Sequence, residues 1–427
     1  MLNFWPVALA LAALFAALTA WIWRRTRRTA ILVAAYGDVD ENRILIDLID
    51  LFRKAHPGIK VSLVRYHFQY FSREILVECR KGTGPDVVLM DSVHYSELVF
   101  EDLLEPLNSH FLGGQLNIND FYPQVVDRFF LDGFLYAMPR DVAPICMVYY
   151  NRMAFDEAGL PPPSDDWDWE KFVETTKKVQ KTDASGRVTR WGFIEGWAML
   201  EAWVYDAGGS FVDDIKHPTR WTLATDKNSL RGLQFRYDLI HVHKVMPPPS
   251  IWDGHNDSDS AEMFAQGKAA MYLFGLWKTP RFRKIQGFSW DAALLPRDSL
   301  GHLDFTLTGS AYGIPKTSIH KKAAWKFVQF ASGLEGAKFL AMDGLCQPAL
   351  EKIAKSPDFL DDQAPRNKKL LLNAMKHGKY APLCKNWYEV KVLIEEGLRP
   401  AWEGKITVSE ALERLKPVLE NNPPITH

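Results

Sequence analysis

The stretch Phe264-Ala-Gln-Gly-Lys-Ala-Ala-Met-Tyr-Leu-Phe-Gly-Leu-Trp277 changes its chemistry three times within a few residues. Residues 259–266 have the length and spacing of a short helix, and Gly267 stands where a left-handed C-terminal cap is wanted. Lys268 then opens a strand. The run 269–274 is continuously apolar, as a strand covered on both faces of an α/β sheet must be, and it stops at Gly275 and Trp277. Ligands of open α/β sheets lie beyond such strand ends. A glycine that lets backbone approach a ligand, beside the flat apolar face of Trp277, makes a floor for a sugar ring. A core tryptophan after a turn satisfies the same spacing.

Five further stretches keep company with it. They are Gly84-Pro-Asp-Val-Val-Leu-Met-Asp91, Tyr149-Tyr-Asn-Arg-Met-Ala-Phe-Asp-Glu-Ala-Gly-Leu160, Thr308-Gly-Ser-Ala-Tyr-Gly-Ile-Pro-Lys316, and the pair Trp387-Tyr-Glu-Val with Gly404-Lys-Ile-Thr-Val-Ser-Glu-Ala-Leu412. Their order and content resemble the extracellular solute-binding proteins of ABC importers, in the sugar-binding, maltose-binding-protein-like family. The resemblance runs over about residues 31–415, far more specific than any one motif. It implies an α/β, two-lobed periplasmic-binding-protein fold of type II with three hinge crossings. It also implies a carbohydrate ligand between the lobes and delivery to ABC permease subunits; a monomer is expected, and no residue is assigned a catalytic role because the chain has no Gly-x-Ser-x-Gly elbow, no phosphate loop and no metal cluster.

Length and composition fit that expectation. A chain of 427 residues is too long for one ordinary core, so two lobes are the default. Lys plus Arg is 51 against 52 Asp plus Glu, and with Arg24, Arg25, Arg27 and Arg28 set aside the body is mildly acidic, which argues against nucleic acid as a partner. The 15 tryptophans, several outside apolar stripes, suggest aromatic surfaces facing a cleft. Cys79, Cys146, Cys346 and Cys384 are far apart and form no Cys-x-x-Cys pair, so neither a metal nor a redox motif is indicated. They read as buried thiols, with one long-range disulfide left open.

Residues 4–23 form an uncharged apolar run about long enough to cross a bilayer, with Trp5, Trp21 and Trp23 at its ends. Its start lacks positive charge and its exit, Trp21-Ile-Trp-Arg-Arg, lacks small residues, so an uncleaved transmembrane anchor is favoured over a cleaved leader, with residues 1–28 as the membrane anchor or signal segment. The cluster Arg24-Arg-Thr-Arg-Arg28 would by itself hold the downstream domain in the cytoplasm. Large domains translocate largely regardless of nearby charge, and a role in import requires the outside. The expectation is an extracytoplasmic body anchored to the inner membrane. A membrane-tethered sensor is the alternative use of the same arrangement.

After the anchor, residues 31–36 and 59–66 read as strands, 41–54 and 71–81 as helices, and 86–90 as a third strand. Helices between strands imply a parallel sheet whose strand ends carry Tyr36 and Asp91 at one edge. Asp91 is a site candidate and equally an N-cap for the next helix. Arg140 and Asp141 lie in a segment that the resemblance places at the first crossing. They offer a rigid fork of donors and an acceptor to ligand hydroxyls, or they pair with each other. Gly309 and Ser310 sit at the second crossing. There glycine permits close approach and exposed amides with a hydroxyl can bond a ligand. The resemblance puts a third crossing around residues 344–349, so that 29–140 with 311–343 form one lobe and 141–310 with 344–427 the other. Trp387 matches the family position that stacks an aromatic ring on a sugar, although the stretch from Trp387 to Gly404 is longer here. Trp197, after a short strand over 191–194, is a further stacking candidate, and Gly275 with Trp277 completes the set.

Three other patterns have simpler explanations. Pro161-Pro-Pro-Ser-Asp-Asp-Trp-Asp-Trp-Glu170 carries the two acids that a glycosidase needs, but a helix start with a capping pattern accounts for them. His241 and His243 point in different directions on a helix. Asp253-Gly-His-Asn-Asp-Ser-Asp259 has spaced oxygen donors like a calcium loop but lacks its sixth-position glycine and later glutamate.

Overall fold

The computed structural model describes residues 29–111, 116–196, 199–251 and 257–426. Lobe one begins with the buried strand Thr29–Ala35, which Gly37 ends and Asp38 converts into helix. The Asp38 carboxylate accepts from the backbone N–H groups of Asp40 and Glu41, each at 3.0 Å. This caps the helix Val39–Ala55, whose acidic first turn and basic last turn suit the helix dipole. Ile44, Leu45, Leu48 and Phe52 are buried on one face, while Leu51, which shares the predicted spacing, is exposed.

Five strands form the first sheet, in the order Ile59–Arg65, Thr29–Ala35, Val87–Asp91, Ser310–Gly313, Ala137–Pro139. The first three are parallel, as the helices between them require. Ser310–Gly313 runs antiparallel to both neighbours. The sheet is therefore mixed, not purely parallel. This strand enters from the other lobe, so its first residue lies where the parallel strands end, and Ser310 pairs with Asp91.

Lobe two has the sheet order Ile194–Glu195, Met271–Phe274, Met147–Asn151, Trp290–Leu294. The opening stretch folds as read: Gly267 is left-handed at φ 72° after the helix Asp257–Ala265, and every residue of Met271–Phe274 is buried. The strand expected over 191–194 is shorter, with Trp191 making a single bridge to Ala269. Asp168 accepts from the N–H of Lys171 at 2.8 Å and caps the helix Trp169–Val179, so that acidic stretch is a helix start.

Between the lobes lies a third sheet. Asp141–Ile145 and Phe305–Thr308 run antiparallel, Gln347–Pro348 pairs with the first of them and Gly378–Tyr380 with the second. The first strand leads from Ala137–Pro139 into Met147–Asn151, and the second leads into Ser310–Gly313, so both cross between lobes side by side. Farther on, the Ala349 N–H bonds Arg140 O and the Arg366 N–H bonds Asp291, which carries the chain from one lobe to the other again.

One large core cluster spans both lobes, and a second packs the helix Trp387–Trp402 against Val408–Glu420 and Leu200–Asp206. The four cysteines are buried free thiols. The anchor expected over residues 4–23 and the acidic loop at 253–256 lie outside the described residues, and among those described no helix is long and apolar enough to cross a membrane.

Gly309 links the second crossing strand to the first sheet at φ 146°, a conformation that side chains rarely adopt. A Cβ there would sit 2.6 Å from Asp141 O and 2.9 Å from Val142 Cα. Gly309→Ala is expected to cost about 1–3 kcal/mol and to lower the melting temperature by several degrees in a thermal scan. An unchanged melting temperature would mean that the two crossing strands are free to part.

Candidate functional site

The strand ends of both sheets and one face of the crossing strands enclose a cleft of about 640 Å³. Its floor is set by strand alternation. Ala143 and Ile145 pair with Thr308 and Thr306 across the two crossing strands, and these four residues line the cleft.

At the lobe-one end of this floor lies a buried polar knot. Arg140 Nε donates to Asp141, and its Nη2 donates to Glu41 Oε1 at 3.0 Å and to Ser310 Oγ at 3.3 Å. The Ser310 N–H donates to Asp141 Oδ1 at 3.0 Å, and Tyr36 Oη lies 3.2 Å from Ser310 Oγ. Both carboxylates are needed because burial alone would depress the guanidinium; Asp141 and Glu41 instead hold it well above its ordinary value. Burial raises the Glu41 carboxyl despite Arg140. Burial also pushes the Tyr36 phenol far up, reinforced by Asp91 and Glu41, so it stays neutral.

The walls are aromatic. On lobe one, Tyr36, Phe68 and His94 cluster with ring centroids 4.5–5.5 Å apart. On lobe two, Trp277 meets Phe274 edge-on at 4.8 Å, and Tyr388 comes within 6.4 Å of Phe68. Asp91 Oδ1 caps the helix Ser92–Phe100 by accepting from the N–H groups of Val93 and His94, and the residue also lines the cleft. His94 Nδ1 is 2.8 Å from that oxygen. Burial by itself would lower the imidazole and raise the carboxyl, but the pairing outweighs it, so His94 shifts up and Asp91 down.

Ion pairs tie the walls together. Lys278 Nζ of lobe two reaches Asp38 Oδ2 of lobe one at 3.1 Å, and Lys284 reaches Asp40. Within lobe two, Lys391 Nζ meets Glu201 Oε1 at 2.5 Å. Among the described residues no group of three or more His, Cys, Asp or Glu is placed to hold a metal ion. His241 instead has its Nε2 3.1 Å from Trp402 O.

The structure brings Tyr36, Asp91, Arg140, Asp141, Trp277, Gly309 and Ser310 together around the cleft. Trp197 lies outside the described residues. Gly275 is not a lining residue: a Cβ there would lie 1.8 Å from the Trp277 ring, so its missing side chain makes room for that indole. Trp387 is a correction. It is fully buried, packed on Phe211 at 5.2 Å and Trp221 at 5.9 Å, and the next residue, Tyr388, lines the cleft in its place. Consecutive residues of a helix point about 100° apart, so one residue separates core from cleft. Glu41, Phe68, Lys278, Glu201 and Lys391 were missed because ordinary amphipathic and loop patterns explain each of them.

The family described as bacterial extracellular solute-binding proteins matches residues 36–338. An uncharacterised ABC transporter extracellular-binding protein of Pyrococcus horikoshii is 23% identical over 307 residues, covering 70% of this chain and 65% of that one. An arabinooligosaccharide-binding protein of Halalkalibacterium halodurans is 26% identical over 245 residues, 55% of this chain and 52% of the relative. The chain thus spans about two thirds and about half of these two curated relatives. In fold, an ABC substrate-binding protein of Listeria monocytogenes in complex with cycloalternan superimposes with a TM-score of 0.82 at 22% identity, covering 92% of this chain and 99% of that one.

The neighbours Trp387 and Tyr388 separate stability from binding. Trp387→Ala is expected to cost about 3–5 kcal/mol of stability, as truncating a buried Trp does, and to melt early in a thermal scan. Tyr388→Ala is expected to melt within a few degrees of the parent but to lose most of the stabilisation that a ligand confers. The opposite pattern would put Trp387 back in the cleft.

Proposed function

This chain belongs to the family of bacterial extracellular solute-binding proteins, and we propose that it captures a carbohydrate, a sugar or an oligosaccharide, between its lobes and delivers it to an ABC importer. The observation that carries this reading is the pairing of aromatic faces from both lobes around one space. Trp277 and Tyr388 stand on one side and Tyr36 with Phe68 on the other. Sugar rings present apolar CH faces to such walls and hydroxyls to the polar groups between them. The relative from Halalkalibacterium halodurans is named for an oligosaccharide, which supports the same ligand class.

The work is binding and not catalysis. A solute touching both lobes stabilises the closed form, and a permease that recognises that form receives the solute. The permease subunits are the proposed partners, and the protein acts as a monomer. The body is extracytoplasmic, held at the inner membrane by residues 1–28.

A thermal-shift screen of the full chain against neutral mono- and oligosaccharides tests the ligand class. A saccharide at 100 times its dissociation constant is expected to add about 2.7 kcal/mol, and Trp277→Ala to abolish that gain. A chain stabilised by no saccharide, but by an amino acid or a peptide, would overturn the reading. The tether has its own test. N-terminal sequencing of the membrane-extracted protein is expected to begin at or near Met1, with the body digested by protease added to spheroplasts. A sequence starting after Trp23, or a body protected until lysis, would overturn the tether or the side.

A further inference from the structure

The carbohydrate reading leaves open what charge the solute carries, and the cleft has a charge balance of its own. Five carboxylates line it, Asp38, Glu41, Asp91, Asp141 and Glu201, against the cations Arg140, Lys278 and Lys391. Each cation already holds a carboxylate: Arg140 has Asp141 and Glu41, Lys278 has Asp38, and Lys391 has Glu201. The lining therefore carries five acidic groups against three basic ones, and each basic group already stands beside an acid. Asp91 spends Oδ1 on the helix cap and His94, Glu41 spends Oε1 on Arg140, and Glu201 spends Oε1 on Lys391. Asp91 Oδ2, Glu41 Oε2 and Glu201 Oε2 have no hydrogen-bond partner among the described residues.

A second observation is independent of the carboxylates. Thr306, on the cleft-facing side of the second crossing strand, is 4% exposed, and its hydroxyl has no partner among the described residues. A buried hydroxyl without a partner costs free energy, and a ligand donor or acceptor beside it removes that cost.

Resting on the carbohydrate reading, we propose that the solute is an aminated saccharide, whose ammonium group and hydroxyls donate to Asp91, Glu41 and Glu201, and that phosphorylated or carboxylated saccharides are excluded. An anionic group entering this cleft would meet cations already paired with carboxylates, and further carboxylates that repel it. An ammonium group meets acceptors with lone pairs to spare, next to aromatic faces that themselves attract cations.

The test is calorimetric titration of the full chain in detergent with matched series: glucose oligomers, glucosamine oligomers, oligogalacturonates and glucose 6-phosphate. The expected order is glucosamine oligomers tightest, by about tenfold over the neutral series, with no measurable heat for the two anionic probes. The advantage of the amine is expected to shrink as salt is added and to narrow in Glu201→Gln. Thr306→Val, which keeps the shape and removes the hydroxyl, is expected to weaken binding about tenfold without lowering the melting temperature. Tightest binding by an anionic probe would sink the charge assignment and leave the carbohydrate reading standing, and so would equal affinity for amine and neutral series. A panel in which no series binds would sink the aminated-saccharide assignment, and the saccharide thermal-shift screen then decides the carbohydrate reading separately. Thr306→Val with full affinity would remove the hydroxyl from the site.

Discussion

The contact between Arg140 and its two carboxylates holds the molecule's geometry. Arg140 follows a strand of lobe one, Asp141 begins the first crossing strand, Glu41 lies in the first turn of the helix that Asp38 caps, and Ser310 opens the strand that returns from the second crossing. A guanidinium 4% exposed cannot stay charged in such a place without partners, and removing one partner of a buried pair costs several kcal/mol. The knot therefore fixes three chain segments, around residues 41, 140–141 and 310, at one point. Because that point is the end of the first sheet, it also fixes where the floor of the cleft begins.

From that fixed end the two lobes face each other across a floor only two crossing strands wide. Their register places Ala143, Ile145, Thr306 and Thr308 toward the cleft, so the floor is narrow and largely without charge. Charge collects at the walls, where Lys278 and Lys284 of lobe two meet Asp38 and Asp40 at the start of one lobe-one helix. These pairs join lobes that are otherwise connected by few strands. Ion pairs of this kind weaken in salt, so this contact between the lobes weakens as ionic strength rises.

Much of this was legible in the sequence because the signals were local. The continuous apolar run before Gly275, the left-handed Gly267 and the strand ends at Tyr36 and Asp91 depend on residues close in the chain, and the folded molecule keeps them. Asp91 shows how two readings of one residue coexist: one oxygen caps a helix and the other is free for the cleft. The direction of Ser310–Gly313 was not legible, because a strand's orientation depends on where the chain has been and not on its own residues.

The sequence by itself determined the alternation of strands and helices, the match to the solute-binding family, and most of the residues that gather at the sheet edges. Periodicity and composition act over a few residues, and these features need no more. Only the tertiary structure decided which of two adjacent aromatics enters the cleft. Trp387 and Tyr388 lie about 100° apart on one helix, and that helix's rotation is set by packing against Phe211 and Trp221, far away in the chain. It alone decided that Gly275 serves Trp277 and that Glu41, Glu201 and Lys391 belong to the site. A charged residue on a helix looks the same in sequence whether it meets solvent or a buried partner, and the difference exists only once the lobes are brought together.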